Sequence, residues 1–182
     1  MRSHLGVSVQ VSVLGSVGVR RNGADVDLGP RLRRLLAALT VSNGSVVSSD
    51  RLVEIVWDGE PPDGADKSLS TYVTRLRHAL DSDRDDVIVF RQPGYAIDLR
   101  PDELDSDVFD DELERALQHL RTADATTASE LLAVAIGRWR GPAYAGYAVE
   151  EWARPECVRL EERLVEAREA LIEARLADGL VD

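Results

Sequence analysis

The stretch DKSLSTYVTRLRHAL, residues 66–80, decides the fold, because its apolar side chains recur at the spacing of one amphipathic helix. On a helical wheel they fall within about 60° of one another, so this face is predicted to pack on a core. The core-facing residues of the helix are Leu69, Val73, Leu76 and Leu80. The next patterned stretch, VIVFRQPGYAIDL at 87–99, predicts two strands, Val87–Phe90 and Tyr95–Leu99, joined by a turn.

The opposite face of this helix has the chemistry of a nucleic-acid contact. It carries two cations, two hydroxyls and an imidazole, and no carboxylate, in a chain with 33 acidic residues. Arginine and lysine reach guanine or phosphates, and threonine contacts phosphate or the thymine methyl group. An ordinary solvated helix face is the alternative. The residues of this face are Lys67, Thr71, Thr74, Arg75 and His78.

The residues before the helix predict strands first. Valines alternate with polar residues from Val7 to Val13, which is the period of a half-buried strand, and Val17 and Val19 continue it. Asn22-Gly23 predicts a hairpin turn, because both residues tolerate positive φ. A short strand is predicted at Val26–Leu28, and Gly29-Pro30 ends it.

Two further helices precede the decisive one. Pro30 suits a first helical turn, and Asn43-Gly44 predicts the end of that helix. Ser48 offers an N-cap for the second helix. Three helices followed by a hairpin is the winged helix-turn-helix order, and the leading strands predict a small antiparallel sheet beside it. The apolar stripes comprise Leu32, Leu35, Leu36 and Leu39 in the first helix and Leu52, Ile55, Val56 and Trp57 in the second.

The chain changes character after Arg100-Pro101. No strand pattern follows, and helices are predicted at 106–121, 126–139 and 155–178, with a shorter one near 147–153. We therefore predict an α+β winged helix-turn-helix domain at 1–100 and an all-α, tetratricopeptide-like domain at 101–182.

Charge is unevenly divided between the two predicted domains. Residues 1–100 carry 13 basic and 13 acidic residues, whereas residues 101–182 carry 9 basic and 20 acidic ones, which is the whole net charge of −11. A neutral domain can still concentrate cations on one face. The acidic domain is interpreted as a solvated surface with ion pairs, or as a surface for docking a protein.

Composition and motifs exclude several classes of protein. One cysteine, Cys157, allows no intrachain disulfide and no cysteine-built zinc site. No apolar run approaches the length of a membrane span, and the N-terminus has no signal-peptide pattern. The three histidines are scattered and no catalytic or phosphate-loop motif occurs. We therefore expect no enzyme activity, no cofactor, no metal and no membrane contact.

Several segments together resemble the Streptomyces antibiotic regulatory protein family, whose members are actinobacterial transcription regulators with an OmpR-type winged helix followed by a bacterial transcriptional activation domain. In order these segments are VSVLGSVGVRRNG (11–23), GPRLRRLLAALTVSNGSVVSSDRLVEIVWDGEPP (29–62), KSLSTYVTRLRHAL (67–80), VFRQPGYAI (89–97), ALQHLRTAD (116–124), AIGRWRGPAYAGY (135–147) and EWARPECVRLEERLVEAREALIEARLADG (151–179). The resemblance covers about residues 7–180.

The resemblance implies a set of DNA-contacting residues. It places Lys67 at the opening of the recognition helix, and it lets Thr71 and Tyr72 face the groove or a phosphate. It makes Arg75 a base or phosphate contact and lets Arg77 reach the DNA backbone. It also implies that the wing arginine, Arg91, enters the minor groove and that the Trp57 indole donates to a phosphate. For Trp57 and Tyr72 the alternative is core packing with a partly wet edge.

The resemblance also implies partners and context. A cytoplasmic regulator, nucleoid-associated through DNA binding, is expected to act as a homodimer on promoter repeats of double-stranded DNA about one helical turn apart, and to contact RNA polymerase as an activator. The family's activation domain continues past residue 182, so the helical domain is expected to be cut short. The competing hypothesis is a protein-interaction module that keeps the winged-helix scaffold without reading DNA sequence.

Overall fold

The computed structural model describes residues 8–42, 44–80 and 87–179. The chain forms two compact units, one of Met1–Val11 with Val17–Glu103 and the other of Ser12–Ser16 with Leu104–Asp182. Two predicted features lie outside the described residues, the strand start at Val7 and the helix stop at Asn43, as does the polar stretch 81–86, whose composition predicts a turn. Among the helices that the structure describes, none has the length and apolarity to cross a membrane.

A small sheet opens the first unit. Its strands are β1 (Val9–Ser12), β2 (Gly18–Arg21) and β3 (Ala24–Val26), in the order β1-β2-β3. The predicted turn is confirmed, because Asn22 and Gly23 have φ of 51° and 81°. The prediction of a strand at Val26–Leu28 was two residues late, because this tight turn already pairs Ala24 with Arg21.

Three helices form the core of the first unit: α1 (Pro30–Val41), α2 (Ser49–Val56) and α3 (Ala65–Leu80). The predicted cap is confirmed, since the Ser48 side chain accepts a hydrogen bond of 3.2 Å from the Arg51 amide. The apolar stripes face inward as expected, apart from Leu32, which is half-buried. Residues no more than 1% exposed are Leu35, Leu36, Leu39, Leu52, Leu69, Val73, Leu76 and Leu80.

The wing is a three-stranded sheet rather than a bare hairpin. Strands β4 (Val47–Ser48), β5 (Ile88–Arg91) and β6 (Gly94–Ile97) lie in the order β4-β6-β5, all antiparallel. Strand β4 was not predicted, because a strand of two residues is too short to show the alternation of apolar and polar side chains. A Cβ at Gly94 would lie 1.8 Å from the Val47 carbonyl oxygen, so the pairing of β6 with β4 requires glycine there. The predicted winged helix is confirmed.

The second unit is helical, as predicted. Its helices are α4 (Asp105–Arg121), α5 (Ala125–Gly137) and α6 (Arg154–Ala177), each within two residues of its predicted limits. They enclose a core in which Phe109, Leu113, Leu132, Tyr144 and Leu160 are at most 1% exposed.

The prediction of a short helix near 147–153 was wrong. The segment is a series of turns in which amides donate three residues back: Tyr147 to Tyr144, Glu150 to Tyr147, and Ala153 to Glu150. A helix needs a bond from every amide, four residues back. Here Gly146 has a φ of 95°, which is not helical, and in the segment that follows only every third amide donates such a hydrogen bond.

A short extended segment, Ser12–Ser16, belongs to the helical unit. The Val13 amide donates to the Asp105 carboxylate (2.7 Å), and the Val13 carbonyl accepts from the Tyr144 amide (2.7 Å). The alternating valines do not predict these hydrogen bonds to the helical unit, because alternation indicates which side chains are buried and not which segment the strand pairs with. The domain limits 1–100 and 101–182 stay a prediction.

Candidate nucleic-acid interface

The polar face of α3 lies open. Lys67, Thr71, Thr74 and Arg75 are all exposed, while Leu76 on the opposite side is fully buried. The helix starts after Gly64, whose carbonyl accepts from the Lys67 amide at 3.1 Å. Lys67 therefore sits in the first turn, as the sequence predicts. The one acid of this helix, Asp66, occupies the same turn.

The two threonines of this face keep their acceptor oxygens available. The Thr71 hydroxyl donates to the Lys67 carbonyl (3.3 Å), and the Thr74 hydroxyl donates to the Ser70 carbonyl (3.0 Å). A hydroxyl that rotates away from these helical carbonyls donates to an external oxygen instead. Both side chains are thus equipped to contact a phosphate or a base edge.

The cations of this unit divide into paired and unpaired groups. Arg20 pairs with Asp25 (3.1 Å), and Arg34 pairs with Asp58 (2.6 Å). Within residues 8–42, 44–80 and 87–179, by contrast, none of the cations at α3 or the wing tip has a carboxylate within 4 Å. These unpaired cations are Lys67, Arg75 and Arg91.

Arg77 is already used inside the unit. Its Nε and Nη2 both donate to the Ile88 carbonyl, at 2.8 and 2.5 Å, and thereby tie α3 to strand β5 of the wing. The side chain is half-buried. Its role is to position the wing. Among the described residues nothing else bonds its Nη1 group or the second N–H of Nη2, and these are left for the DNA contact that the sequence predicts.

Trp57 and Tyr72 form an aromatic pair behind the recognition face. The ring centroids are 5.6 Å apart at 75°, an edge-to-face contact. Trp57 is 8% exposed and Tyr72 is half-buried. The core-packing alternative therefore describes Trp57 well, and a phosphate contact by either residue stays a prediction.

Arg91 stands exposed where β5 turns into β6. It pairs across the hairpin with Gly94, and Phe90 pairs with Tyr95. Phe90 is 59% exposed and contacts the Tyr95 ring edge-to-face at 5.2 Å. The wing thus presents an exposed guanidinium, which has no carboxylate partner among the described residues, and an exposed apolar ring. Phe90 is a residue that the sequence patterns did not indicate.

Arg31 is a second residue missed by the sequence analysis. It is exposed in the first turn of α1, and its guanidinium carbon lies 5.9 Å from the centroid of the Trp57 ring. Arg75 lies at the same distance from the Tyr72 ring. Arg31 and Arg75 are 44 positions apart in the sequence, and no local pattern relates residues at that separation. The one sequence feature that pointed to Arg31 was the absence of an acidic residue from the first turn of α1.

Two family models match the chain. The model of the C-terminal part of transcriptional regulatory proteins matches residues 23–97, and the bacterial transcriptional activator domain matches residues 104–182. Together with the winged helix and its cationic face, these matches define the class: the chain comes from a bacterial transcription regulator with an activator domain after its winged helix.

Relatives with established names narrow this class. Regulatory protein AfsR of Streptomyces coelicolor is 33% identical over 175 residues, which are 94% of this chain and 17% of AfsR. Transcriptional regulatory protein MoaR1 of Mycobacterium bovis is 28% identical over 96% of this chain and 56% of MoaR1. The chain belongs to the Streptomyces antibiotic regulatory protein family.

A solved structure supports the fold over nearly the whole chain. Mycobacterium tuberculosis EmbR, determined with a low-affinity phosphopeptide, matches with a TM-score of 0.85 and 28% identity over 96% of this chain and 47% of EmbR. The chain therefore spans about half the length of EmbR and MoaR1, and a smaller share of AfsR.

Proposed function

We propose that the first unit reads duplex DNA and that the protein is a sequence-specific transcription regulator, an activator. The observation that carries the proposal is a set of exposed cations on α3 and the wing that have no carboxylate partner among the described residues, namely Lys67, Arg75 and Arg91. Four other arginines of the same unit, Arg20, Arg34, Arg51 and Arg100, do have carboxylate partners. Cations left unpaired on one face have the electrostatics of a surface whose counter-charge lies on another molecule.

In this proposal α3 lies in the major groove. Arg75, exposed near the middle of the helix, reaches guanine O6 and N7 or a phosphate. Lys67 in the first turn neutralises a phosphate, and the hydroxyls of Thr71 and Thr74 contact phosphate or a base edge.

The wing supplies a second contact. Arg91 enters the minor groove, whose narrow A·T segments have enhanced negative potential that attracts arginine. Arg77 supports this contact indirectly through its two hydrogen bonds to the Ile88 carbonyl. Trp57 and Tyr72 support the recognition face by packing against each other beneath Arg75, and the exposed edges of their rings face the DNA backbone.

Net charge does not oppose this role. Residues 1–100 sum to zero, since 13 basic residues balance 13 acidic ones, and all of the −11 lies in residues 101–182. Affinity comes from the phosphates that the local cations neutralise and the counterions thus released.

For the whole protein we propose two domains with separate roles. The domain at 1–100 binds promoter repeats as part of a homodimer, and the domain at 101–182 contacts RNA polymerase. Both matched family models belong to transcription regulators, which supports a cytoplasmic, nucleoid-associated and non-enzymatic role.

The test is selection from a random duplex library at near-physiological salt, with the Lys67→Ala/Arg75→Ala double variant as a matched control. We expect the 182-residue chain to enrich a half-site, repeated about one helical turn apart if the chain dimerises, and the control to lose that enrichment. Equal results from the folded protein and the folded control would overturn the proposal. They would favour an interaction module with another partner.

A further inference from the structure

An open groove of about 570 Å³ lies between the start of α1 and the side of α3. Its arginines come from both helices, Arg31 from α1 and Arg75 from α3. None of the six lining residues is acidic. They are Gly29, Pro30, Arg31, Leu32, Tyr72 and Arg75.

Aromatic rings support both arginines of the groove. The Arg31 guanidinium lies 5.9 Å from the Trp57 centroid, and that of Arg75 lies 5.9 Å from the Tyr72 centroid. The two rings pack edge-to-face, with their centroids 5.6 Å apart. The four side chains are therefore in contact one after another, in the order Arg31, Trp57, Tyr72 and Arg75. Cation–π contact within about 6 Å limits the motion of each guanidinium. The groove thus has two restrained positive charges.

Neither guanidinium has a polar partner in the part of the chain that the structure describes. The first turn of α1 contains no acid that could supply one. Each group therefore keeps five N–H donors in the planar arrangement that fits phosphate oxygens.

We propose that this groove is a second DNA subsite, in which Arg31 and Arg75 together hold one backbone phosphate. The proposal rests on the proposed DNA-binding function. It assigns a contact to α1, on a side chain that no sequence motif indicated.

The geometry of the duplex favours DNA as the occupant. An α-helix with its side chains is about 10–12 Å across and the major groove is about 12 Å wide, so a helix in the groove has a phosphate row along each flank. Arg75 belongs to the helix proposed to lie in that groove, and Arg31 extends its positive charge sideways. Phosphate contacts set the position of the helix and carry no sequence information.

The test is Arg31→Gln in the full chain, compared with wild type on the selected duplex and on an unrelated duplex. We expect the slope of log affinity against log salt to fall by about 0.9, which is the contribution of one phosphate. The affinity difference from wild type then shrinks about threefold between about 50 and 200 mM salt. The loss should be equal on both duplexes, and the selected sequence should stay the same.

Two further variants separate local from general effects. Arg20→Gln removes the same charge from β2, where Arg20 pairs with Asp25, and should leave the salt slope unchanged. Arg31→Lys keeps the charge and should keep the slope. Thermal unfolding of all variants should match wild type, because both arginines are exposed.

Several outcomes would overturn the inference. An unchanged slope for Arg31→Gln, with wild type binding DNA normally, removes the groove from the interface and leaves the proposed function standing. Reduced binding to purified RNA polymerase with DNA binding intact would assign the groove to an acidic protein segment instead. If wild type binds neither duplex, the proposed function fails and the subsite fails with it.

Discussion

The arginines of the recognition face and those of the helical unit differ in what surrounds them. Arg163 of α6 reaches three carboxylates, Asp110 at 3.2 Å, Glu114 at 2.7 Å and Glu166 at 2.6 Å. Arg75 of α3 has a tyrosine ring and solvent. The two side chains have the same charge, but only the first has its counter-charge within the molecule. Net charge per domain does not show this difference, which appears only when each cation is matched with its partners.

The helical unit uses its arginines to join helices. Arg138 of the α5 C-cap meets Glu112 of α4 at 2.6 Å, and Arg159 of α6 meets Asp110 of α4 at 2.9 Å. Such pairs contribute about 0–1 kcal/mol each when exposed. Their loss should therefore appear in stability, whereas loss of an unpaired cation on α3 should appear in DNA affinity.

The largest expected effect is that of Arg75→Ala. We expect specific DNA binding to weaken by about 1–3 kcal/mol and sequence preference to relax, because Arg75 loses a base contact in addition to the phosphate that it shares with Arg31. Thermal unfolding should not change, since Arg75 is exposed and has no ion pair among the described residues. Fluorescence anisotropy titrations on the selected duplex and a single-base variant of it measure both quantities. Unchanged affinity and preference would show that α3 does not dock as proposed.

Arg91→Ala should have a smaller effect, about 1 kcal/mol, which is the lower end for a specific contact. The loss should fall mainly on duplexes with A·T pairs beside the core half-site, because the narrow minor groove attracts the wing arginine. Titrations with A·T and G·C flanks give the comparison. An equal loss on both would make Arg91 a plain phosphate contact.

Arg163→Ala tests the opposite half of the comparison. We expect the free energy of unfolding to fall by about 1 kcal/mol or less, because three carboxylates lose a shared cation, while DNA affinity stays the same. Arg168→Ala is the matched control, since Arg168 is exposed on the same helix and has no ion pair among the described residues. Chemical denaturation of the three proteins measures the difference. A fall in DNA affinity for Arg163→Ala alone would contradict the division of roles.

The smallest effect concerns Asp105. Burial raises the pKa of this carboxyl above its ordinary value of 3.8, against the hydrogen bonds from the Val13 and Leu14 amides and the charge of Arg140. The folded state therefore binds the proton more tightly than the unfolded state. As pH falls through the folded pKa toward 3.8, this group adds stability that is absent at neutral pH.

Asp105→Asn isolates that contribution. The wild-type free energy of unfolding should rise relative to that of Asp105→Asn as pH is lowered through this range. Denaturant titrations at a series of pH values measure the difference. A wild type that loses stability relative to the variant on acidification would reverse the assigned direction of the pKa.

Much of the winged helix was predictable because local patterns decide it. The spacing of Leu69, Val73 and Leu76 predicts one buried face of α3, and Asn22-Gly23 predicts a turn that only a few residue pairs allow. The exposed face of α3 follows from the same wheel. These features depend on residues within a few turns of one another.

What the sequence could not predict depends on contacts between distant residues. The resemblance implies that Arg77 reaches the DNA backbone, yet Arg77 donates to the Ile88 carbonyl, and no helical period indicates a strand beside the helix. Ser12–Ser16 pairs with the helical unit through Tyr144 and Ala145, more than 120 positions away. Arg31 lies against the Trp57 ring, 26 positions further along the chain.

Hydrogen–deuterium exchange of the 182-residue chain with and without its selected duplex tests the central claim most directly. We expect DNA to slow amide exchange in Ala65–Leu80 and Ile88–Ile97, and to leave α4, α5 and α6 unchanged. Protection confined to the three helices of the second unit, with none in α3 or the wing, would contradict it.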